Sequence, residues 1–74
     1  MLSEQEKQSL LVQLSDMREA IWVKEKYYNY YNNQALEIPP DKPEQLKICY
    51  DEIHRLEREL RELRAEERRL LGRF

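Results

Sequence analysis

Ile38-Pro39-Pro40-Asp41-Lys42-Pro43-Glu44, near the middle of 74 residues, decides the fold. Neither Pro39 nor Pro40 can donate a backbone hydrogen bond, and each disfavours helical geometry in the residue before it, so a helix arriving from the N-terminal side stops here. Asp41 followed by Pro43 and Glu44 reads as the start of another, with an acceptor at the N-cap, proline in the first turn and acid at the positive end of the helix dipole. A stop and a start this close together make a hairpin.

On the N-terminal side, Ser3 and Glu6 have capping-box spacing, so helix 1 begins there. Apolar residues then recur at Leu10, Leu14, Met17, Ile21, Tyr28, Tyr31, Ala35 and Ile38, a 3-4 stripe broken once by Lys24. Asn29, Asn32 and Asn33 are weak helix formers and predict fraying from about Asn32. On the C-terminal side the stripe is Leu46, Cys49, Ile53, Leu56, Leu60, Leu63, Leu70 and Phe74, broken once by Glu67. The rest of helix 2 is charged, with i,i+4 partners Glu57–Arg61, Arg55–Glu59 and Arg58–Glu62, each worth a few tenths of a kcal/mol. The expected architecture is an all-α, coiled-coil-like antiparallel two-helix hairpin forming one domain over residues 1–74. Helix 1 spans about 4–36, the loop about 37–41 and helix 2 about 42–72.

Antiparallel stripes pair positions of constant sum. A sum of 77 matches Tyr28 with Cys49 and Met17 with Leu60, giving five apolar layers; a sum of 84 matches Ala35 with Cys49, Tyr28 with Leu56 and Leu10 with Phe74, giving seven. The first needs less axial offset between the helix ends, about 3 Å against 7–8 Å at the helical rise. The number of layers favours the second, and crosslinking Cys49 to a cysteine placed at position 35 or at position 28 separates them. Lys24 and Glu67 read as long side chains packing their stems at the seam edge with their charges in water. Setting the register is the alternative role.

A single seam in so short a chain is a small core. The one cysteine, Cys49, forms no internal disulfide and sits at a seam position with no neighbour in sequence to activate its thiol, so it reads as a small buried apolar residue. No Cys/His cluster suggests structural zinc; His54 beside Asp51 and Glu57 is a lone imidazole on a charged face. The expectation is therefore a homodimer forming a four-helix bundle, or attachment to another protein.

Leftover apolar residues indicate where. Val12, Ala20, Val23, Tyr27 and Tyr30 make a second stripe on helix 1, and Leu11 with Trp22 a third patch, whereas helix 2 adds only Tyr50 and Leu71 beside its seam. Helix 1 is thus the expected inner element. Trp22 and the run Tyr27-Tyr28-Asn29-Tyr30-Tyr31 supply large contact area with polar tips, the composition of interface hot spots. The candidate partner-binding residues are Trp22, Val23, Tyr27, Tyr30 and Tyr50, in a non-enzymatic interaction module of the adaptor or regulator kind.

Composition narrows the other classes. Charged residues are 38% of the chain but the net charge is −2, a balance that does not favour a nucleic-acid or anionic-membrane partner. Residues 44–74 carry eight Lys and Arg and eight Asp and Glu, so an arginine-rich nucleic-acid stripe is the lesser reading; it would use Lys24, Lys26, Arg64, Arg68, Arg69 and Arg73 with the tyrosines. A purely structural coiled-coil segment is the other alternative. No Gly-rich phosphate loop, paired-carboxylate cleft or nucleophile–base arrangement points to catalysis, and neither a catalytic, a metal nor a cofactor residue is assigned. No apolar run approaches a membrane span, and no signal peptide opens the chain; with the free thiol, this gives a cytoplasmic expectation.

Overall fold

The computed structural model describes residues 1–74. It is all-helical, with α1 over Glu4–Glu37 and α2 over Pro43–Leu71 folded back against it, and no strand. Both ends of α1 follow from local chemistry. The Ser3 hydroxyl accepts from the Glu6 backbone N–H at 3.2 Å, the first half of the capping box, while the Glu6 carboxylate accepts from that same hydroxyl at 3.1 Å rather than from the Ser3 backbone N–H. At the other end Ile38 is extended (φ −73°, ψ 127°), the geometry demanded before Pro39, while its N–H still reaches the Gln34 carbonyl at 3.1 Å. α1 runs through Asn32 and Asn33 to Glu37. Tyr31, Asn32, Gln34 and Ala35 are half-buried, and the Asn32 amide donates to the Tyr28 carbonyl at 2.8 Å.

The turn corrects one expectation. Asp41 is not the cap of α2: Lys42 holds the N-cap position (φ −120°, ψ 67°) and no side chain caps the helix. The Lys42 N–H is bonded to the Pro39 carbonyl at 3.1 Å, closing a four-residue turn with Pro40 at its second position. The Lys42 carbonyl accepts from Leu46 at 3.3 Å. Pro43 supplies the first helical residue, where its missing N–H costs nothing.

Polar pairs across the hairpin fix its register. Arg18–Glu67, Lys24–Glu59 and Tyr28–Glu57 give position sums of 85, 83 and 85, and Cys49–Tyr31 and Arg64–Glu25 fall on either side at 80 and 89, so the set centres on the alignment with more apolar layers. Leu10, Leu14 and Leu70 form one buried cluster, flanked by Leu2 and Met17. Cys49, Ile53, Leu56 and Leu60 complete the buried set, so α2 contributes five of the seven buried residues and α1 two. Phe74 is not in the seam: α2 ends at Leu71 and the terminal ring is 56% exposed. The Cys49 thiol is buried and donates to the Tyr31 carbonyl at 3.0 Å.

Lys24 and Glu67, the two interruptions of the stripes, are both ion-paired across the hairpin. Lys24 Nζ meets Glu59 at 2.6 Å and Glu67 meets Arg18 Nε at 3.2 Å. A third cross-helix pair joins Arg64 to Glu25. On α2 itself, Arg55 bridges Glu52 and Glu59. Glu57–Arg61 and Arg58–Glu62 are not among the ion pairs; Glu57 instead accepts from the Tyr28 hydroxyl at 3.1 Å and lies 3.7 Å from the exposed His54.

Candidate functional site

The outer face of α1 collects four of the five residues singled out from sequence. Trp22, Val23, Tyr27 and Tyr30 line one shallow open groove of about 500 Å³, with Lys26 as its only charged wall. The spacing explains the grouping. Residues 22, 23, 26, 27 and 30 fall within about two turns on the side of the helix away from the seam residues Ile21, Lys24, Tyr28 and Tyr31. All four apolar members are open to solvent; Trp22 is 59% exposed and Tyr27 56%. Two contacts order the patch from within: Lys26 Nζ stands 4.7 Å from the centre of the Trp22 ring, and Tyr30 meets Tyr31 edge-to-face with centroids 5.3 Å apart.

Tyr50, the fifth candidate, is exposed on α2 and does not line this groove. Leu11 does not join Trp22, which lies about 16 Å further along the helix at the usual rise. It lines a separate hollow at the open end of the hairpin with Leu14, Arg18, Leu71 and Phe74. Sequence reasoning set Lys26 among possible nucleic-acid contacts and missed its place in the aromatic patch, although i,i+4 spacing from Trp22 was the signal. Leu36 and Ile48, 86% and 66% exposed near the turn, also escaped notice because both lie off the stripes.

A second groove runs between the helices, lined by Arg18, Arg61, Arg64 and Arg68 with Glu25, Glu67 and Ile21. Arg18 and Arg64 are committed to Glu67 and Glu25, which leaves Arg61 and Arg68 as its unpaired charges. Among titrating groups, Glu59 is held below the usual carboxylate range, first by its hydrogen bond from Lys24 and then, against the opposing effect of burial, by the charges of Lys24, Arg55 and Arg58. No group of three or more His, Cys, Asp or Glu side chains is placed to hold a metal ion, and no helix is long and apolar enough to cross a membrane. No family model, no curated protein and no solved structure matches the chain.

Proposed function

We propose that the chain is a non-enzymatic protein-interaction module, an adaptor or regulator, whose docking face is the outer side of α1 at Trp22, Val23, Tyr27 and Tyr30. The observation that carries this reading is the aromatic groove itself. Two tyrosines, a tryptophan and a valine stand together in water while α2 covers only the opposite side of the same helix. Exposed apolar patches of this kind, with a polar rim, are the mark of interaction surfaces. The module self-associates, with α1 inside and α2 outside a four-helix bundle, and works in a reducing, cytoplasmic compartment where the Cys49 thiol stays free. Tyr50 lies outside the groove and serves at most as a flank to the partner's footprint.

Affinity capture with the native chain and with a Tyr27→Ala, Tyr30→Ala variant tests the reading. Captured proteins should be lost with the variant at unchanged helicity, since each truncation of a hot-spot aromatic costs about 2 kcal/mol or more of binding. Identical capture by both would remove the face from consideration. The nucleic-acid reading would use Lys24, Lys26, Arg64, Arg68, Arg69 and Arg73 with the tyrosines and would need retardation of RNA or DNA that weakens steeply with salt. The glutamates paired to Lys24, Arg64 and Arg69 weigh against it.

A further inference from the structure

We propose that the occupant of the outer face of α1 is the same face of a second copy of this chain, running antiparallel, with Lys26 of each copy seated against Asp16 and Glu19 of the other. This rests on the reading of that face as a docking face and names what docks there.

The argument begins with the six charges between positions 16 and 26. Arg18, Lys24 and Glu25 are used within the hairpin, each ion-paired to α2. Asp16, Glu19 and Lys26 make no ion pair at all, and all three are exposed. They are not scattered. Val12, Asp16, Glu19, Val23, Lys26 and Tyr30 follow one another at 4-3-4-3-4 spacing, a single stripe along the outer face with both acids on the N-terminal side of Val23 and the base on the other. A stripe acidic at one end and basic at the other is self-complementary under a two-fold rotation, the symmetry of most homodimers. Parallel pairing would set Lys26 on Lys26 and acid on acid.

A two-fold axis beside residues 21–23 brings each Lys26 against the opposing Asp16 and Glu19. Val23 lies close to its own mate, and Trp22 is brought near the Ala20–Val23 segment of the other copy. Tyr30 of each copy then covers the other's Val12 and Ser15 region. Residues at position sums of about 42–46 face each other at the helical rise. The groove walls are thereby withdrawn from water by a surface of matching polarity, and the arrangement puts α1 of both copies inside and α2 outside. One helix face of this length supplies on the order of 500 Å² per copy, about 1,000 Å² in all and below the size of standard stable interfaces, so the association is weak and concentration-dependent rather than permanent.

Charge reversal separates this arrangement from any other. Lys26→Glu puts three acids against three and should raise the dimer dissociation constant at least about tenfold by sedimentation equilibrium. Asp16→Lys with Glu19→Lys should do the same. Combining all three restores complementarity and should return the constant to within a few-fold of native; a triple variant as weak as its parents overturns the pairing. In a Cys49→Ala background, a bismaleimide reaching about one helix width, 10 Å, should link Val23→Cys to its mate but not Val12→Cys, whose mate lies about 30 Å away. Linkage at both positions means parallel pairing, and linkage at neither, or a native chain that is monomeric at its highest soluble concentration, overturns the proposal. That failure leaves the docking reading intact if capture of other proteins still depends on Tyr27 and Tyr30. If that double variant alters neither capture nor dimerisation, the docking reading is the one that fails.

Discussion

Glu59 stands between Lys24 across the hairpin, at 2.6 Å, and Arg55 one turn back on its own helix, at 3.4 Å. Its carboxyl is held below the usual glutamate value of about 4.5, chiefly by the Lys24 hydrogen bond. A carboxyl depressed on folding contributes stability that is present above the unfolded value and lost as pH falls through the folded one. The native chain should therefore lose more stability than Lys24→Met between about pH 5 and pH 3, with the two urea midpoints converging at the acid end. Parallel midpoints would mean that the pair does nothing for folding. Gly72 gives a prediction of opposite sign. It caps α2 with right-handed geometry (φ −66°), and a Cβ there would meet only the Arg68 and Arg69 carbonyl oxygens at an ordinary 3.5 Å. Nothing uses the freedom of glycine, so Gly72→Ala should raise stability by about 0.5 kcal/mol through the unfolded chain, read as a small rise in thermal midpoint.

The two helices begin differently, and substitutions should show it. Ser3 accepts from the Glu6 N–H, so Ser3→Ala should cost about 0.5–1 kcal/mol, whereas Asp41→Ala should stay within about 0.5 kcal/mol because Lys42 occupies the cap. Paired chemical denaturation curves decide it; equal losses would put Asp41 back at the cap. The same contrast marks what could be read ahead. Ser3 with Glu6, and Pro39-Pro40 as a stop, are local devices whose geometry follows from the residues themselves. The start of α2 could not be read so closely, because Pro40 closes a turn onto Lys42 and leaves Asp41 inside it. The interruptions at Lys24 and Glu67 were legible as charges at seam positions, but their partners were not. At a sum of 84 they face Leu60 and Met17, and the charges that meet them, Glu59 and Arg18, lie one residue aside, a step that side-chain direction decides and periodicity does not. Phe74 fitted the stripe and left the seam because the helix supporting it ends three residues earlier.

The whole molecule is a rod of 59 × 14 × 12 Å with a Cα radius of gyration of 17.2 Å, against about 11 Å for a compact domain of this length. Only seven of its 74 residues are buried, and none of the groove residues is among them. A rod of two helices has no interior beyond its seam, and the conformational entropy of 63 helical residues is set against that one row of contacts. Stability should then be borrowed from association, and mass action says how it shows. For a chain that folds as it dimerises, each tenfold rise in protein concentration adds about 1.4 kcal/mol to the unfolding free energy per dimer, moving the urea midpoint upward. Trp22, 59% exposed in the single hairpin, reports the same event optically. Its emission should shift to the blue over the concentration range in which the midpoint rises, and Tyr27→Ala with Tyr30→Ala should push both changes to higher concentration. A midpoint that does not move with concentration, together with a solvent-exposed Trp22 emission throughout, would establish that the lone hairpin is stable by itself and would overturn the antiparallel pairing.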